Sequence, residues 1–181
     1  GQAIAKGMAF LSDDRRNEGL ALTQPISRNI SYPSMGKRSR FGVLRRKQDD
    51  RTIIELIRQL DIKLTSIRQA VQGLSGGNQQ RVVLAKWLPL NPKILLFHEP
   101  TLGVDVGAKA EIYKILREFT RKGVSILMVT SDMLELINMT DRIIVMYEGR
   151  IQAIIPSSTA TEEGVMLAAS GKGTEEGLQD G

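Results

Sequence analysis

The sequence predicts an α/β fold in which helices flank a mostly parallel sheet. Short apolar runs at 7–12, 94–97 and 124–130 read as buried strands. Between them, apolar residues recur at helical spacing: Ile53, Leu56, Ile57 and Leu60 in one segment, and Ile112, Ile115, Leu116 and Phe119 in another. Strand-like and helix-like segments that alternate in this way build a sheet with helices packed on it.

The elements follow in order. The strand at 7–12 leads into a polar loop at 13–20. Residues 21–73 form a mainly helical insertion, with a short helix at 27–30 after Pro25, a basic loop at 36–42 and an amphipathic helix at about 48–60. Ser75 starts a further helix that runs to about Leu88, where Pro89 and Pro92 end it. The strand at 94–97 closes on Glu99. A helix at 107–121 ends at Gly123, a C-cap. The run at 124–130 is apolar almost throughout, as expected of a strand covered on both faces. A short helix at 131–138 precedes a hairpin, 142–147 and 150–155, that turns at Glu148-Gly149. Beyond Ser157 apolar content falls, apart from Val165-Met166-Leu167. Residues 157–181 read as a C-terminal tail, flexible from 171 onward.

Composition sets bounds on function. The 181 residues suffice for one domain with a real core, at 41% hydrophobic and 25% charged. No cysteine is present, which excludes a disulfide framework and thiolate metal ligation. No apolar run is long enough to span a bilayer, and residues at the N-terminus do not read as a signal peptide. The net charge of +5 invites a nucleic-acid reading. Much of it is local, however, in Lys37, Arg38, Arg40, Arg45, Arg46, Lys47 and Arg51, with only Phe41 among them as an aromatic. A solvated basic face accounts for this cluster equally well.

Two segments carry the chemistry. Leu74-Ser75-Gly76-Gly77-Asn78-Gln79-Gln80-Arg81 opens a helix with several unpaired backbone N–H groups and the positive end of the helix dipole, a phosphate-binding arrangement. Ile94-Leu95-Leu96-Phe97-His98-Glu99-Pro100 delivers a carboxylate to the C-terminal end of a strand, and Thr101-Leu102-Gly103-Val104-Asp105 follows. In this order the segments resemble the signature, Walker B and D-loop motifs of ATP-binding-cassette ATPases. Asn78 within the signature, and Gly103 to Lys109, resemble the sugar-import branch. The resemblance spans 7–156 and is similar to the second cassette of a two-cassette import subunit.

The resemblance implies a P-loop NTPase-like cassette fragment: a partial nucleotide-binding domain at 1–156, with a helical subdomain at about 21–88 that includes the signature helix and docks a permease. It implies that Glu99 polarises the attacking water and that Ser75, Gly76, Gly77, Asn78 and Gln79 meet nucleotide held by an opposite cassette. Asp105 would cross the interface between cassettes. Asp13 takes the Q-loop position, within a run similar to Glu-Asp-Arg-Lys, and Ser131 takes the switch position. ATP and Mg²⁺ are the implied cofactors. A second cassette, membrane permease subunits and, indirectly, a sugar-binding protein are the implied partners, at the cytoplasmic face of the membrane, with no nucleic acid.

Some positions depart from this pattern. A Walker A motif, Gly-x-x-x-x-Gly-Lys-Ser/Thr, is absent. Gly36-Lys37 is followed by Arg38 and has Ser31 in the earlier glycine position; Gly171-Lys172 is followed by Gly173 and has Met166 there. His98, the single histidine, stands where the family has a Mg²⁺-supporting Asp, and its nitrogen suits transition metals better. Leu102 replaces an Arg common in the branch, whereas Ser131 is typical of it. His98 and Glu99 would face opposite ways if the strand stayed extended to its end. The expected function is an ATPase fragment that powers monosaccharide import as half of a composite site and is inactive in isolation. Its rivals are a non-catalytic cassette partner and a DNA-repair type ATPase; the latter carries long coiled coils, and 21–73 has no sustained heptads.

Overall fold

The computed structural model describes residues 2–35, 39–40, 43–44 and 46–172. The chain divides into two compact units, Gly1–Val129 and Thr130–Gly181.

In the first unit, helix α1 (Gln2–Ala5) precedes strand β1 (Met8–Leu11). A single π-helical turn, Arg15–Gly19, follows, and then helix α2 (Ile26–Ser31). The expected basic loop at 36–42 lies outside the described residues except for β2 (Ser39–Arg40), which pairs antiparallel with β3 (Val43–Leu44). Helix α3 (Arg46–Gln59) lies within the insertion and helix α4 (Gly76–Trp87) follows it. Strand β4 (Ile94–His98), helix α5 (Val106–Arg121) and strand β5 (Ser125–Val129) close the unit. Gly123 follows α5 at φ +85°, the left-handed conformation expected of its C-cap.

The sheet has the order β1-β4-β5 and both pairings are parallel. Parallel neighbours require long crossovers, which the helical insertion and α5 provide. Leu11 lies opposite Phe97, and His98 opposite Val129. These registers bring the C-terminal ends of the three strands together. Ala9, Leu11, Leu95 and Phe97 form the buried face, packed in one core with Val82, Val83 and Leu84 of α4 and Ile112, Leu116 and Phe119 of α5. Each large apolar side chain buried here contributes about 1.5–3 kcal/mol.

The other face differs from expectation. Phe10 is 52% exposed, Leu127 53% and Val129 59%, so β5 is not covered on both faces. An apolar run permits burial on both sides but does not supply the layer that would cover it.

The second unit contains helix α6 (Met133–Met139), the antiparallel hairpin β6 (Arg142–Tyr147) and β7 (Arg150–Pro156), and helix α7 (Glu162–Ala169). The hairpin turns through Glu148 at φ +47° and Gly149 at φ +78°, two successive left-handed residues that match the twist of the strands. Helix α7 lies where a tail was expected. Thr161 caps it by accepting the Gly164 N–H at 3.1 Å, and Val165 and Ala168, one turn apart, are buried with Ile143 and Val145. Two inward residues one turn apart suffice to dock this short helix on the hairpin, a signal that falling apolar content hides. No helix among the described residues is long and apolar enough to cross a membrane.

Candidate functional site

The Ser-Gly-Gly start of α4 is capped as predicted. Ser75 is extended, at φ −61° and ψ 158°, and its hydroxyl accepts from the Asn78 backbone N–H at 3.5 Å and from Asn78 Nδ2 at 3.0 Å. Asn78 Oδ1 accepts the Lys63 N–H at 2.8 Å. Its side chain therefore braces the helix start. Gln79 is buried and donates through Nε2 to the carbonyls of Leu74, at 3.1 Å, and Val71, at 3.4 Å. The Gln79 amide thus serves the chain's own carbonyls.

Both signature glycines are required by close approach. A Cβ on Gly76 would lie 2.9 Å from the Gly103 carbonyl oxygen and 3.0 Å from Arg15 Nη2. A Cβ on Gly77 would lie 2.7 Å from the Ala108 Cβ. Ala108 belongs to α5, whose N-cap is Asp105; its Oδ1 accepts the Ala108 N–H at 2.9 Å. The expected D-loop carboxylate thus caps its own helix, and that helix start touches the signature helix start. Arg15, which motif reading left without a role, donates from Nη1 to the Leu102 carbonyl at 2.6 Å and from Nη2 to the Gly103 carbonyl at 3.2 Å. Burial lowers its pKa from the ordinary arginine value, and the neighbouring Arg16 charge adds to the effect.

At the strand ends, β4 stops at His98. Glu99 adopts φ +48° while its N–H donates to the Val129 carbonyl at 2.8 Å. A left-handed glutamate is uncommon and costs about 1–2 kcal/mol. The strand does not stay extended through Glu99, so the alternation that would have set His98 and Glu99 on opposite faces does not hold. His98 Nδ1 lies 2.9 Å from Asp13 Oδ1, and the Ser12 hydroxyl, which donates to Glu18 Oε2 at 2.5 Å, lies 3.2 Å from the same oxygen. Parallel pairing of β1 with β4 brings these residues together, because Leu11 and Phe97 are partners in register and Asp13 lies two residues beyond Leu11, His98 one beyond Phe97.

This pair bears on Mg²⁺. A Mg²⁺ ion takes oxygen ligands in near-octahedral array. Here one carboxylate oxygen is engaged by an imidazole nitrogen, and the second position offers nitrogen alone. The residues at 13 and 98 do not fit a Mg²⁺ site. Among the described residues no group of three or more His, Cys, Asp or Glu side chains could hold a metal ion.

Ser131, the expected switch residue, belongs to the second unit, just ahead of α6. There Asp132 caps the helix by accepting from the N–H groups of Leu134 and Glu135 at 3.0 and 3.3 Å. Beside the π-helical turn of the first unit lies a cavity of about 800 Å³, lined in part by Asn17, Glu18, Arg28, Tyr32, Lys86 and Trp87. Lys86 donates to the Gly19 carbonyl at 2.5 Å and sits 5.2 Å from the centre of the Trp87 ring; burial lowers its pKa.

Compared with known families, residues 5–102 match the family described as ABC transporter. The chain belongs to this family. Among curated relatives, the ribose import ATP-binding protein RbsA of Bacillus subtilis (strain 168) is 45% identical over 170 residues, covering 94% of this chain and 34% of the relative. RbsA of Lactococcus lactis subsp. lactis (strain IL1403) is 46% identical over 170 residues, covering 94% and 35%. The chain therefore spans about a third of the length of these relatives. Among solved structures, the dimeric post-hydrolysis state of an ATP-binding cassette bound to ADP and Pi superposes with a TM-score of 0.70 at 22% identity, covering 83% of this chain and 62% of that one. A component of an ABC transporter complex from Clostridium perfringens gives 0.68 at 22% identity, covering 85% and 59%. The fold is that of part of an ABC cassette.

Proposed function

We propose that the chain is part of an ATP-binding and ATP-hydrolysing subunit that powers monosaccharide import through a membrane permease. In this reading it forms half of a composite nucleotide site. The observation that carries the proposal is the start of α4, where Ser75, Gly76 and Gly77 are held against Gly103 and Ala108. A capped helix start with glycines in place of side chains leaves its N–H groups open to a phosphate brought by another cassette. The names of the RbsA relatives support ribose or a similar sugar as cargo.

Within this reading Glu99 orients and polarises the attacking water, its carboxylate delivered at the C-terminal end of the central strand by a strained backbone. Ser75 and the N–H groups of Gly76 and Gly77 bind the terminal phosphate, and Asp105 fixes α5 beside them. Asp13 and Ser131, at the Q-loop and switch positions, support a second cassette of a two-cassette subunit. The cavity beside Asn17, Tyr32 and Lys86 is the place for a permease segment, which would set the subunit at the cytoplasmic face of the membrane with a sugar-binding protein across it. The longest helix described within 21–73 has 14 residues, too short for the coiled coils of the DNA-repair alternative.

Fluorescent ATP tests the proposal. With no Walker A motif in these 181 residues, the chain alone binds it weakly. With a Walker A-bearing sugar-import cassette added, ATP is retained, and Ser75→Arg abolishes the retention. Micromolar affinity in the chain alone, or no retention in the mixture, overturns the reading. Duplex DNA binding with a salt slope worth several phosphate contacts would restore the nucleic-acid alternative.

His98 favours a second reading, a cassette that presents the signature without hydrolysing ATP itself. Placing Glu99→Gln in a cassette completed with a Walker A separates the two: turnover falls away under the first reading and does not change under the second.

A further inference from the structure

The strongest unassigned feature is the guanidinium of Arg15, which is shared by three segments distant in sequence. We propose that Arg15 is a positioning residue that clamps the 101–105 loop against the signature glycines, so that loop and signature meet an opposite cassette as one preformed surface. Its two terminal nitrogens donate to successive carbonyls, Leu102 at 2.6 Å and Gly103 at 3.2 Å. Successive carbonyls converge on one guanidinium here because Gly103, at φ +65°, turns the chain between them. The same Gly103 oxygen, with Arg15 Nη2, closes over Gly76 so tightly that no Cβ fits there. Turn bonds within the loop, Leu102 N–H to Glu99 O at 3.2 Å and Val104 N–H to Thr101 O at 3.1 Å, hold its shape, but none of them reaches the signature. Arg15 spans that gap. The planar fork is what the geometry requires; a lysine ammonium supplies a point charge that cannot hold both carbonyls in the same way.

The proposal assigns Arg15 no contact with nucleotide. Its consequence for the composite site, which rests on the function proposed above, is that Arg15 controls turnover rather than nucleotide affinity. Hydrogen exchange on the whole 181-residue chain tests the clamp without any assumption about ATP. In Arg15→Gln the Leu102 and Val104 amides exchange about tenfold faster, while Phe97 in β4 keeps its protection. Arg15→Lys restores only part of the protection. Gly76→Ala, whose methyl would press on both the Gly103 carbonyl and Arg15 Nη2, loosens the same two amides. Unchanged exchange at Leu102 and Val104 in both Arg15→Gln and Gly76→Ala overturns the clamp, as does full rescue by Arg15→Lys.

The second arm mixes the chain with a competent Walker A-bearing cassette. Arg15→Gln lowers kcat about tenfold and leaves KM for ATP within twofold. A rise in KM at constant kcat overturns the positioning role. If the unmodified chain produces no turnover in the mixture, the composite-site reading fails, and the exchange data still decide the clamp.

Discussion

Gly77→Ala offers a sharp test of how α4 and α5 meet. The added methyl would sit 2.7 Å from the Ala108 Cβ, whereas carbon atoms pack without strain at about 3.5–4.0 Å. The obstructing atom is the first carbon of a helical side chain, so no rotamer change relieves the overlap. One helix start has to retreat by roughly 1 Å. Overpacking of this kind costs about 1–3 kcal/mol, against a helix-propensity gain of at most about 1 kcal/mol for replacing glycine. A net loss of up to about 2 kcal/mol, centred on about 1 kcal/mol, follows. Trp87, the single tryptophan, lies at the end of α4 and reports the unfolding of this unit by fluorescence in urea. Repeating the substitution in an Ala108→Gly background removes the obstruction and leaves only the propensity gain, so the sign reverses and Gly77→Ala becomes neutral or stabilising. Such a coupling between touching residues falls in the usual range of about 0.5–3 kcal/mol. An equal cost in both backgrounds, or no cost in the unmodified chain, would refute the close approach of the two helix starts.

Glu99→Gly removes a left-handed non-glycine residue, and despite losing a carboxylate it changes stability by less than about 1 kcal/mol, whereas Glu99→Val, β-branched at the same φ, loses more than about 1 kcal/mol; thermal unfolding compares the two. His98→Asp sets a second carboxylate beside that of Asp13, so it lowers the melting temperature in metal-free buffer and makes it rise on adding Mg²⁺, a response the parent chain lacks. Asp14 accepts from the side chain of Asn17 at 2.8 Å and from its backbone N–H at 3.1 Å, and these bonds lower its pKa below 3.8. A carboxylate with a depressed folded pKa contributes stability above the unfolded value and loses it as pH falls through the folded value. Asn17→Ala therefore flattens the loss of stability below about pH 4, read from acid titrations of both proteins.

Much of this protein was legible because the information was local. The spacing of Ile112, Ile115, Leu116 and Phe119 gave α5, Gly123 marked its end, and Ser75 marked the start of α4. The hairpin turn at Glu148-Gly149 followed from its two residues. What went unread required a partner distant in sequence. The inward face of α7 shows only once a hairpin lies beneath it, and the buried amide of Gln79 only once the carbonyls of Val71 and Leu74 surround it. The open face of β5 could not be read either, because apolar composition records what a strand tolerates and not what covers it.

The sequence by itself determined the longer helices and strands of the first unit, the hairpin turn and which residue types stand at each motif position, since period, caps and glycines act within a few residues. The absence of a Walker A motif and the histidine at 98 were equally plain there. Only the tertiary structure decided what those residues touch. Parallel register put His98 on Asp13, and a left-handed turn at Gly103 aimed two carbonyls at Arg15. These contacts depend on strand pairing and close packing between segments far apart along the chain. The free energy that selects them is that of the shared core of β1, β4, α4 and α5, which exists only once the whole unit has folded.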